Sequence, residues 1–320
     1  ALKLNPPRPI DCSWDELAAA RPDMPMGLVA RTKARWQAAW ALKGLMLRWE
    51  NLVGDTLASL LACVLLEQKV LLLGDVPRAS MMALLLRASI WPFRWMHLFL
   101  SAPPPKELLK MPLLEAMFPM IITLSEFPKE WGYRTQYELP TEVVTGMLKH
   151  GFVHSSAELV TSGGLRGADI KLPAGRHKTF LKQIAQAKQR LRKGEFNIDR
   201  AVEFVQDAME GEVRRFADVV RSYAAHQVAL VSSADAPQEL EASSVQSFCE
   251  RCIRRASEPD AFDQWLKASS GVDLSSKQTQ AFFQSFFQTQ LFLDLLNEQV
   301  SALVAERLER QLPKPAAGDG

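Results

Sequence analysis

The sequence predicts an α/β fold, a parallel sheet sandwiched by helices, followed by an all-α block. Three observations predict it. Short apolar runs alternate with helical stretches between residues 70 and 124. Those runs are apolar on both faces, as strands of a sheet covered on both sides must be. From Thr179 onward only helical patterning is left.

Pro6, Pro7 and Pro9 make the first twelve residues extended, and Ser13-Trp-Asp-Glu16 has the spacing of a capping box that opens a short helix. Val29 to Trp49 runs without proline, with Trp36, Trp40, Leu42, Met46 and Trp49 at near-helical spacing, which predicts a further helix. Residues 1–50 therefore read as an N-terminal helical extension.

Residues 51–150 follow a different pattern. Leu57, Leu60, Leu61, Val64 and Leu65 belong to a helix that is apolar almost all round, hence buried. Val70-Leu-Leu-Leu73, closed by Gly74-Asp75, reads as a buried strand. Pro77 suits the first turn of the helix that continues through Ile90. Trp95 to Leu100 is a second strand, Lys106 to Met117 a helix, Met120 to Leu124 a third strand, and Gln136 to Leu139 an edge strand ended by Pro140. Residues 151–177 read as a loop with Gly163-Gly164 and Gly167. The helical block, 178–308, divides into 178–193, 198–230, 243–257, 259–269 and 276–308, with a mobile connection over Ser232 to Ser243. Residues 309–320 are expected to be disordered.

Composition excludes several classes. Of 320 residues, 48% are hydrophobic, too many for a disordered chain. Lys plus Arg number 38 against 36 acids, so overall charge makes no case for nucleic acid. Cys12, Cys63, Cys249 and Cys252 are too few for a disulfide scaffold, which suits a reducing compartment. Glu67-Gln68-Lys69 interrupts the greasiest stretch, and no signal peptide is visible. These features predict a soluble, cytoplasmic protein.

The chemical motifs are weak. His150 and His154 have a zinc spacing, but Gly151 stands where the metalloprotease motif needs Glu. Cys249-Glu-Arg-Cys252 lacks the second pair of a structural zinc site and lies in a helical pattern. Gly163-Gly-Leu-Arg-Gly167 lacks the Lys-Ser/Thr of a P-loop, and there is no nucleophile elbow. The sequence thus calls for no catalytic residue, no metal and no cofactor. One charged feature stands out. Arg176 to Lys193 holds seven Lys or Arg and no acid. Phe180, Ile184, Ala187 and Leu191 share one face, and Lys178, Lys182, Arg192 and Lys193 point away. An ordinary solvated face explains this, and a weak patch for anionic membrane is the functional alternative. Nucleic acid ranks below both, because no aromatic interleaves the charges.

Five segments carry a family resemblance. Leu57 to Gly74, with Glu67-Gln-Lys69 between helix and strand, resembles the buried helix and first central strand of the DENN family. Ile90-Trp-Pro-Phe-Arg-Trp-Met-His-Leu-Phe-Leu100 is similar to its signature segment. Leu114 to Ile122, Val213 to Tyr223, and Phe286-Phe-Gln-Thr-Gln-Leu-Phe292 resemble three later elements in order. The resemblance implies a cDENN-like α/β domain and a dDENN-like helical domain. Its longin-like subdomain has no counterpart in residues 1–50, and Arg134-Thr-Gln-Tyr-Glu-Leu139 lacks the family's aspartate pair.

What the resemblance implies is guanine-nucleotide exchange on a Rab-type small GTPase in membrane trafficking, with a longin-like subunit or upstream subdomain as a further partner. Candidate contacts are polar residues at a strand end and in the signature segment: Asp75, Arg78 and Arg94. A solvated loop with an ordinary helix cap is their plainer explanation. Two other readings stand beside exchange. One is a non-catalytic DENN-like scaffold. The other is an unrelated α/β enzyme, with its site at the carboxyl ends of the strands.

Overall fold

A computed structural model describes residues 26–46, 54–116, 118–132, 143–148, 152–155, 170–173, 175–234, 242–268 and 276–311. The chain is mostly helical, around a five-stranded sheet of order β2-β3-β1-β4-β5. The strands are β1 (Lys69–Leu73), β2 (Leu98–Leu100), β3 (Met120–Leu124), β4 (Val143–Met147) and β5 (Phe152–Ser155). The first four run parallel, with Val70 opposite both Ile121 and Val144, and β5 closes one edge antiparallel.

The three apolar runs pair as parallel strands in this sheet, as expected, with β3 between β1 and β2. The second is shorter than the sequence suggested. Trp95 lies in an irregular segment ahead of β2 with its ring buried, and its Nε1 donates to the Leu98 carbonyl at 3.4 Å. The helix expected over 106–117 is not continuous. Only Lys106–Leu109 (α4) is α-helical, with a 3-10 turn at Leu113–Glu115, because Pro112 has no N–H to continue the ladder. The loop expected from residue 151 contains β5 instead, and the predicted edge strand at 136–139 lies outside the described residues, as do the Ser13 capping box and the chain's last nine residues.

The two faces of the sheet are covered unequally. On one, Val70, Leu72, Ile121 and Val144 meet α2 (Gly54–Leu65) and α3 (Val76–Ser89). On the other, Leu71, Leu73, Ile122 and Leu124 meet Leu113, Leu114 and short turns. Among the described residues the helical sandwich is therefore one-sided.

α1 (Met26–Met46), α5 (Arg176–Arg192) and the 37-residue α6 (Ile198–Ala234) form a further helical layer. α1 packs on α3 and α6, and α5 on α2 and α6. α1 buries Ala38, Ala41, Leu42 and Leu45 while Trp36 and Trp40 stay exposed, so the tryptophan spacing marked the helix but not its buried face. The described elements beyond α6 are all helices: α7 (Ala242–Ala256), α8 (Pro259–Ala268), α9 (Lys277–Phe287) and α10 (Gln290–Gln311). The last two correct the single helix expected over 276–308. Tyr223 of α6 sits fully buried among Phe262, Trp265, Phe287 and Phe292, its hydroxyl donating to the Ala256 carbonyl at 2.9 Å. Among the described residues, no helix is long and apolar enough to cross a membrane.

Candidate functional site

A parallel sheet has an amino edge, where its strands begin, and a carboxyl edge, where they end. The two differ here. At the amino edge, Glu67 forms the turn from α2 into β1 with φ of 51°, a left-handed conformation that costs a non-glycine residue about 1–3 kcal/mol. Its carboxylate is only 9% exposed. Oε2 accepts the N–H of Gln290 at 2.8 Å and Oε1 that of Leu291 at 2.9 Å, while Thr289 Oγ1 accepts the N–H of Phe292 at 3.1 Å. Those are the first three donors of α10, which no helical carbonyl can reach. A negative charge at a helix's positive end adds to the hydrogen bonds. This arrangement explains the break between α9 and α10: Thr289 caps the new helix from within, and Glu67 caps it from the α/β half.

The signature segment completes this junction. His97 Nε2 approaches Glu67 Oε1 to 2.9 Å, off the direction of a hydrogen bond, and the Trp95 ring meets the imidazole edge-on at 5.2 Å. Phe93 lies edge-on to Phe286 of α9 at 5.6 Å. Phe93 and Trp95 are buried, whereas the intervening Arg94 is exposed, 3.8 Å from Glu298 of α10. Three of the five segments that carry the resemblance, Leu57 to Gly74, Ile90 to Leu100 and Phe286 to Phe292, thus meet around one carboxylate. Glu67 was named from sequence only as part of the turn between helix and strand, and not as a candidate site residue. Its donors lie more than 220 residues away, and no local spacing announces them.

The carboxyl edge is more open. β1 ends at Leu73, Gly74 turns with φ of 145°, and Asp75 precedes α3. Asp75 is exposed and makes no side-chain cap hydrogen bond to the helix. Arg78 Nε lies 4.0 Å from Asp75 Oδ2, a loose i,i+3 ion pair, and this buried nitrogen has no hydrogen bond. The structure therefore brings Asp75 and Arg78 together at the end of β1 and leaves Arg94 at the other edge, ahead of β2.

On α5 the predicted division of faces holds. Phe180, Ile184 and Ala187 are buried; Lys178, Lys182, Arg192 and Lys193 are exposed. His177, at the helix's start, turns inward to contact Asp55 Oδ1 at 2.8 Å.

The cysteine pair resolves into ordinary helix packing, and Gly163 to Gly167 lies outside the described residues. Cys249 and Cys252 lie in α7, with Cys252 buried; burial, helped by Glu250, pushes the Cys249 thiol pKa up. Burial also pushes the Cys63 thiol up. His154 lies in β5, while His150 is outside the described residues. Among the described residues no group of three His, Cys, Asp or Glu is placed to hold a metal ion. No family model matches this sequence, and no curated protein matches it.

Proposed function

We propose that this chain is a guanine-nucleotide exchange factor for a Rab-type small GTPase, of the DENN kind, working peripherally on a trafficking membrane. The observation that carries the reading is the convergence at Glu67. Segments picked out of the sequence one by one, and separated by up to 224 residues, close on a single buried carboxylate. A chance likeness of short motifs would have no reason to build one junction.

Exchange requires no acid, base or nucleophile from the protein. It requires a surface that binds the nucleotide-free GTPase better than the GDP form. Linkage then makes bound protein weaken GDP by the same factor. The switch loops, ordered by phosphate and Mg²⁺, are the bistable element being biased. Asp75 with Arg78, and Arg94, are the candidate contacts. Because they sit at opposite edges of the sheet, alanine variants at each separate the two faces.

A non-catalytic scaffold is the second reading, favoured by a specific observation: Phe93, Trp95, Tyr223 and Phe292 are all buried, so the motif residues are accounted for by packing. The deciding measurement is release of labelled GDP from a panel of Rab GTPases, with and without the chain and a longin-like partner. Exchange predicts faster release with unchanged single-turnover hydrolysis. Neither effect would leave the scaffold, and faster hydrolysis alone would make the chain an activating protein that supplies an arginine.

A further inference from the structure

We propose that the outward face of α5 is a docking surface for a bilayer containing anionic phospholipid. This inference does not rest on the exchange reading.

The helix carries no acidic residue between Arg176 and Arg192. Its outward positions are Lys178, Lys182, Ala185, Gln189 and Arg192, with Lys193 just beyond, at spacings that keep them in one stripe. At a helical rise of about 1.5 Å per residue, Lys178 and Lys193 stand roughly 22 Å apart, enough to cover several headgroups. Among the described residues, the acids in contact near α5 are occupied. Asp55 of α2 contacts His177, Glu212 of α6 is buried and accepts from Arg215, and Glu195 lies 4.0 Å from Lys193. Seven Lys or Arg between residues 176 and 193 therefore leave a strong positive excess. Crowding of these charges is visible at Lys188, whose pKa is lowered first by burial and then by Arg192.

The form of the stripe selects its partner. It presents no aromatic or large aliphatic side chain; the residues between the cations are small or neutral. Protein interfaces centre on a few desolvated anchors, above all Trp, Tyr and Arg, and single-stranded nucleic acid binds through stacked rings. The stripe offers no ring, and its one arginine, Arg192, stands exposed at the helix's end. A charged membrane surface needs no such anchor, because cations standing within a Debye length of anionic headgroups are attracted without desolvation.

The test is co-sedimentation of the whole chain with vesicles of phosphatidylcholine alone, or of phosphatidylcholine with phosphatidylserine, at low and raised salt. Binding is expected only to the serine-lipid vesicles, and is expected to fade as salt rises. Each cation removed should weaken binding about fivefold, so Lys178→Gln with Lys182→Gln should lose roughly thirty-fold. Lys267→Gln with Lys277→Gln, exposed on α8 and α9, is the control of equal charge. All of these side chains are exposed, and circular dichroism checks that each variant remains folded. Equal binding to neutral vesicles, equal losses in both variants, or retention of the protein by single-stranded RNA in preference to vesicles would each overturn the proposal.

Discussion

The two edges of the parallel sheet are built from similar materials and do opposite things. The amino edge has Glu67, His97 and Arg94; the carboxyl edge has Asp75 and Arg78. At the first, the acid is covered and receives two backbone N–H groups from α10, so it joins the α/β half to the helical half. At the second, the acid is exposed and its arginine sits a loose 4.0 Å away. Polar residues at a strand end thus carry no fixed meaning. What separates the two acids is burial: Glu67 is covered and holds two helix N–H groups, whereas Asp75 stands exposed to a partner.

The largest effect that would sharpen this contrast lies beneath the amino edge. Trp95→Ala should cost about 3–5 kcal/mol in denaturant unfolding, the range for deleting a large buried aromatic. A variant as stable as its parent would break the claim that the signature segment is a structural element. Glu67→Ala comes next. It strands two N–H groups at a helix start and should cost about 2 kcal/mol. Hydrogen exchange should quicken at the amides of Gln290 and Leu291 ahead of the rest of α10.

A thiol offers an independent readout of the same edge. The Cys63 carbonyl accepts the Gln68 N–H at 2.9 Å, and its own thiol is fully buried with its pKa pushed up. Alkylation at neutral pH, located by mass spectrometry, should be much slower at Cys63 than at half-buried Cys249, since only opening exposes a thiolate. Glu67→Ala should speed it. Smallest in stability are Asp75→Ala and Arg78→Ala, each expected within about 0.5 kcal/mol of the parent. If the carboxyl edge contacts a GTPase, these variants slow GDP release while leaving the unfolding midpoint in place. A large loss of stability would mean that this edge too is structural.

Particular residues show how far the sequence could be read. β1 and β3 were legible because, apart from Lys69 and Thr123, their side chains are apolar and buried along the whole strand. β4 was not, and Gly146 is part of the reason. A Cβ there would stand 3.0 Å from Leu72 and 3.2 Å from Leu60, so the glycine admits close approach of α2 to the sheet, a need that one strand's pattern cannot reveal. Pro112 was a readable stop signal inside the segment expected to be one helix. The break before α10 was unreadable in principle, since half of its cap comes from residue 67. The candidate site divides the same way. Asp75 and Arg78 stand at a strand end as anticipated, because Gly74 and Pro77 mark that turn locally. Arg94 belongs to the opposite edge, because it precedes its strand whereas Asp75 and Arg78 follow theirs in the same parallel sheet.

The cap from Glu67 to Leu291 also bears on how the molecule is made. Its two ends are 224 residues apart. At a synthesis rate of roughly 5–20 residues per second, the ribosome delivers α10 about 10–45 s after Glu67 has emerged. Until then the turn into β1 presents an unshielded acid, the Phe93 ring lacks Phe286, and the nascent sheet has a greasy flank in need of protection. Closure of this edge is therefore a late docking step, which waits for the α10 segment to emerge. A stalled or nonsense-terminated chain ending before Thr289 would be a substrate for chaperones rather than a smaller working protein.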